Sequence, residues 1–102
     1  MSIYYTTADI KKLTDSPSPK LIAIALIASY AYYVREEPVT LMADSDFDLL
    51  METIKENWDT VKSHPHSKLI KPSDLEAGSL FRIKQYPNVV MGAAELIISN
   101  NS

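Results

Sequence analysis

Cysteine is absent from this 102-residue chain. Its absence excludes a disulfide framework, thiol nucleophiles and any zinc site built on thiolates, and it fits a reducing compartment such as the cytoplasm. Glycine occurs only twice, so there is no glycine-rich phosphate loop and no Gly-flanked serine elbow for nucleophilic catalysis. Positive charge is scattered: ten Lys and Arg against thirteen Asp and Glu leave a net charge of −3 and a pI near 5.2. Binding nucleic acid without sequence preference rests on several phosphate contacts from one basic face, so no direct nucleic-acid role is expected. A membrane span is not expected either. The apolar run "LIAIALIASYAYYV" covers residues 21–34 and carries three tyrosines and a serine. A spanning helix needs about 20 apolar residues. The run also lies behind acidic and proline-bearing sequence, away from the place of a signal peptide.

What is present is a core. With 46% hydrophobic residues the chain reads as one domain, residues 1–102, able to bury a substantial interior. No repeat or low-complexity tract divides it. "TTADIKKLT" predicts a short helix capped by Thr6 or Thr7, with Ile10 and Leu13 facing inward. After the breaker "DSPSPK", Ser18 is the expected N-cap and Pro19 the first residue of an apolar helix running to about residue 35. Pro38 stops it. A second helix is expected from Asp44 or Ser45, with Ser45 and Asp48 as a capping box and three acidic residues at the positive end of the helix dipole. Phe47, Leu50, Met51, Ile54, Trp58 and Val61 follow helical spacing, opposite Glu52, Lys55, Glu56, Asp59 and Lys62. In the last third, "LFRIKQY" alternates like a short strand and "NVVMGAAELIISN" favours a helix from Asn88. The expected fold is a mainly α, small helical domain. It is built on an antiparallel helix pair over about 19–66, with a short β element in the C-terminal extension 67–102.

Two features could carry chemistry. His64 and His66 flank Pro65. A metal would need a third ligand and a geometry that the proline makes awkward, so a solvated helix end is the reading preferred. Asp44, Asp46 and Asp48 alternate with Ser45 and Phe47 and lack the glycine and distant glutamate of a calcium loop. By themselves they read as cap and solvent face.

Taken together, "YYV" at 32–34, an acidic linker ending in Pro38, "DSDFDLLM" at 44–51 and "HP" at 64–65 form an ordered pattern. It resembles the N-terminal subdomain of bacterial NAD-dependent DNA ligases over roughly residues 30–66. That subdomain carries a Tyr-His/Tyr motif on one helix, a D-x-E-Y-D-x-L motif opening the next and an H-P-E-L close. In the family it holds the nicotinamide mononucleotide half of NAD while a neighbouring domain takes the adenylate. The resemblance implies Tyr32 and Tyr33 as the aromatic pair, Asp44 and Asp48 as the acidic positions, and Phe47 at the tyrosine position. The implied ligand is NAD or nicotinamide mononucleotide. The chemistry is sound in its own terms. A cationic nicotinamide ring stacks on aromatic faces, and carboxylates accept hydrogen bonds from ribose hydroxyls and the carboxamide.

Phe47 lacks the tyrosine hydroxyl, and Tyr33 replaces a histidine common in the family. The lysine-x-aspartate-glycine motif that carries the adenylate is missing, so the chain is not a ligase by itself. The expectation is a stand-alone nicotinamide nucleotide binding module in the cytoplasm, working with a ligase or other replication partner and suited to a bacteriophage. The alternative is a protein-interaction adaptor on the same scaffold, associating with a partner or with itself through its apolar C-terminal third. A small hydrolase acting on the nucleotide is a third reading, with only a carboxylate to offer as base.

Overall fold

The computed structural model describes residues 4–100. They form six α-helices: α1 (Thr7–Asp15), α2 (Lys20–Ser29), α3 (Asp44–Glu56), α4 (Trp58–Val61), α5 (Pro72–Ala77) and α6 (Asn88–Asn100). A π-helical segment, Tyr30–Val34, extends α2, and a 3-10 turn covers Ser67–Leu69. The domain is mainly helical.

Each start and stop has a local cause. Thr6 caps α1 with a complete capping box: its hydroxyl accepts from the Asp9 N–H, and its own N–H donates to the Asp9 carboxylate. The α2 start departs from expectation only in its cap. Pro19 has helical dihedrals, as expected, but no side chain caps the helix; the Ser18 carbonyl accepts from the Leu21 N–H instead. The capping box predicted at Ser45 and Asp48 does not form, because the N-cap falls two residues earlier, at Ala43, which is uncapped, and the helix begins at Asp44. Ser45 therefore lies inside the first turn.

α2 is the centre of the molecule. Leu21, Ile22, Ala25 and Leu26 are completely buried, with α3, α6 and α4 packed around them. On α3, Leu50, Met51 and Ile54 point into the same core. Each such side chain is worth about 1.5–3 kcal/mol of burial. The expected single second helix is broken at Asn57. There the Thr53 hydroxyl donates to the Leu49 carbonyl, and the Asn57 amide donates to the Thr53 carbonyl. Such local bonds compete with the helix ladder. Trp58 and Val61 nevertheless stay on the core side.

The short strand expected at residues 80–86 is absent, and no strand occurs among the described residues. Leu80, Ile83 and Tyr86 are the buried residues of that segment, a period of three that no strand face provides. The segment is instead an irregular strap across the core leading into α6. α6 buries Val90, Ala94 and Ile98 and leaves Val89 and Leu96 exposed. No described helix is long and apolar enough to cross a membrane.

Candidate functional site

The π segment positions the aromatics. The Arg35 N–H bonds to the Tyr30 carbonyl, five residues back, so this turn is wider than an α-helical one. Successive side chains are rotated less around it, which lets the adjacent Tyr32 and Tyr33 serve one side. The segment is held from behind by α6. Arg35 Nε donates to both Glu95 carboxylate oxygens at 3.1 and 2.8 Å, and the Tyr30 hydroxyl donates to the same carboxylate at 3.1 Å. Those donors hold the Glu95 carboxyl below its ordinary pKa. Burial, then the bond to Glu95, raises the Tyr30 phenol. The Val39 N–H donates to the Ala31 carbonyl, folding the linker back along the segment.

In front of this support lies a cleft of about 390 Å³, within the size range of small-molecule sites. Its walls come from the end of α2 (Ala28, Ser29), the π segment (Tyr32, Tyr33), the linker (Thr40–Met42), the first turns of α3 (Asp44, Phe47, Asp48) and the turn after α5 (Gly78, Ser79). The structure thus brings Tyr32, Tyr33, Asp44, Phe47 and Asp48 together on one concavity. Tyr32 and Tyr33 are about half exposed and meet edge to face, with ring centroids 4.9 Å apart. Tyr33 also meets Phe81 edge to face at 5.0 Å. Asp44 and Asp48 are exposed, and their carboxylates make no hydrogen bond or ion pair with any described residue.

The third aspartate of the run goes elsewhere. Asp46 is buried on the opposite side of α3, where its carboxylate accepts from the Thr7 hydroxyl at 2.9 Å and docks α1. Helical spacing explains the split: residues 44 and 48 share a face, whereas 46 is turned away.

Thr40, Ser79 and Phe81 belong to the cleft or its rim and were not singled out in the sequence. They sit in irregular segments, where no periodicity marks a face. Gly78 is in the left-handed region at φ 66° and caps α5, the conformation that glycine adopts without strain. That turn brings Ser79 to the cleft. Next to it α5 is fastened by Asp74, which accepts from the Lys71 N–H at 2.8 Å and from Arg82 Nε and Nη2 at 3.0 and 2.7 Å. Burial works to raise the Asp74 pKa, but these hydrogen bonds outweigh it and hold the carboxyl below its usual value.

His64 and His66 lie apart from the cleft lining. His64 Nδ1 accepts from the His66 N–H, and burial followed by the neighbouring His66 lowers the His64 pKa. Among the described residues there is no group of three or more His, Cys, Asp or Glu that could hold a metal ion. Comparison with protein families, with curated proteins and with solved structures found no match for this chain.

Proposed function

We propose that this domain binds a nicotinamide nucleotide, nicotinamide mononucleotide or NAD, in the cleft between the π segment and the start of α3, as a stand-alone module. One observation carries the reading. Tyr32, Tyr33, Asp44, Phe47 and Asp48, which are spread over 17 residues of sequence, converge on one cleft. In it the aromatic side chains are partly exposed, and the two carboxylates have no described partner. The aromatic faces would hold the cationic ring, each worth about 0.5–2 kcal/mol. Asp44 and Asp48 would accept from the ribose hydroxyls and the carboxamide. Affinity is expected to be modest, since the adenylate half of NAD gains no pocket of its own. The reading supplies a ligand site, not a reaction. The setting proposed for it is the cytoplasm, beside a ligase or other replication partner.

Calorimetric titration with nicotinamide mononucleotide and then NAD tests the reading. Saturable binding that Asp48→Ala abolishes is the expected result. Absence of heat and of thermal stabilisation at millimolar ligand would overturn it. A second reading, a protein-interaction adaptor, is favoured by α6, where Val89 and Leu96 are 66% and 62% exposed. Sedimentation of the native protein, set against a Val89→Asp/Leu96→Asp variant, tests whether that face holds two copies together.

A further inference from the structure

We propose that the cleft is selective for the phosphate-free, cationic nucleoside, a pyridinium riboside such as nicotinamide riboside, over the phosphorylated nucleotides. This deepens the preceding reading and rests on it. The cleft lining contains two carboxylates, Asp44 and Asp48, and no lysine, arginine or histidine. Three cations on the flanking elements are engaged elsewhere. Arg35 is bound to Glu95, Lys55 to Glu76 and Arg82 to Asp74. Lys84 stands 3.6 Å above the Phe81 ring, outside the lining. The N-terminus of α3 would ordinarily favour an anion, but Asp44 and Asp46 already place carboxylates in its first turn.

The charges then decide between ligands. A phosphomonoester carries about −1.5 to −2 at pH 7, which outweighs the single positive charge of the ring and makes the mononucleotide a net anion. The nucleoside keeps the ring, the ribose hydroxyls and the carboxamide and is a net cation. Every attractive contact proposed for the cleft is therefore available to the nucleoside, while the phosphate adds repulsion from two carboxylates with no cation in the lining to answer it. The open, solvent-exposed setting of Asp44 and Asp48 makes this repulsion sensitive to salt, because exposed charges are screened over about 8–10 Å at ordinary ionic strength.

The test is calorimetric titration of the native domain with nicotinamide riboside, the zwitterionic nicotinic acid riboside and nicotinamide mononucleotide, at low and at high salt. Nicotinamide riboside is expected to bind about tenfold or more tightly than the mononucleotide, a difference of about 1.4 kcal/mol, with the zwitterion between them. The gap should narrow at high salt and nearly close in Asp44→Asn/Asp48→Asn. Circular dichroism checks that this variant folds; should it fail to fold, the salt dependence in the native protein decides alone. A mononucleotide that binds as tightly as the riboside, or more tightly, overturns the selectivity and leaves the nicotinamide reading standing. If that tight binding is lost in Lys84→Met, the phosphate has found Lys84 instead. If none of the three ligands binds, the nicotinamide reading fails together with the selectivity.

Discussion

Asp46 and Asp48 stand two residues apart on the same helix and have opposite surroundings. Asp46 is buried and holds Thr7, whereas Asp48 is exposed on the cleft with no described partner. The contrast extends across the molecule. Asp74 fastens α5 through Lys71 and Arg82, and Glu95 fastens the π segment through Arg35 and Tyr30. The cleft carboxylates fasten nothing. At i and i+4 on a helix, Asp44 and Asp48 even repel each other slightly. The dipole of α3 offsets this for Asp44 in the first turn but falls off by the position of Asp48. A carboxylate that architecture does not use, facing aromatics across a cavity, is where a ligand argument belongs.

The comparison breaks first at Asp74 if it is wrong. Asp74→Ala leaves the Lys71 N–H and the Arg82 guanidinium without their acceptor and should cost about 1.5–3 kcal/mol. One kcal/mol moves the melting temperature of a domain this size by about 4–8 °C, so thermal unfolding reads the loss directly. Asp46→Ala removes a single hydrogen bond between α1 and α3 and should cost less, about 1–2 kcal/mol. A loss under about 0.5 kcal/mol at both sites would mean that the partnered carboxylates are no more structural than surface residues.

Acid sharpens the same contrast. The Asp74 pKa is depressed in the folded protein, so its contribution is complete above the unfolded carboxyl value of about 3.9. It is lost as pH falls from there through the depressed folded value. His64 is also depressed, by burial and then by His66. Its unfolded form takes a proton near pH 6.5 while the folded form resists, so stability declines from about that pH downward. Urea unfolding measured across acid pH should therefore show two declines. His64→Gln removes the upper one, and Asp74→Asn diminishes the lower one, to which the depressed Glu95 carboxyl also contributes. Asp48→Ala should leave both in place.

The helical frame was legible because hydrophobic spacing and caps act locally. Ile10, Leu50, Met51 and Ile54 turn inward as their periodicity requires, and Thr6 forms its box with Asp9. The convergence of Tyr32, Tyr33, Asp44, Phe47 and Asp48 was legible only as a pattern of residue types in order. What escaped was set by distant partners. The π turn is held by Glu95, 60 residues beyond Arg35, and no local feature announces it. The 80–86 segment alternates like a strand, yet no neighbouring strand exists among the described residues to complete its hydrogen bonds, and the core takes Leu80, Ile83 and Tyr86 instead. The break at Asn57 was readable in principle, since Thr53 and Asn57 are residues whose side chains bond to the backbone of the preceding turn.

The smallest expected stability effect is the most informative one. Asp48→Ala removes an exposed carboxylate that bonds to no described residue, so its effect on stability should stay within about ±0.5 kcal/mol. Relief of repulsion from Asp44 and the better helix propensity of alanine both push toward the stabilising side. The same substitution should abolish measurable binding of nicotinamide mononucleotide. Melting and titration of one variant therefore read architecture and function apart. A folded, undiminished domain that no longer binds would assign Asp48 to the ligand, as its neighbour Asp46 is assigned to the fold. A clear drop in melting temperature would instead make Asp48 a structural residue and remove the asymmetry on which the cleft reading depends.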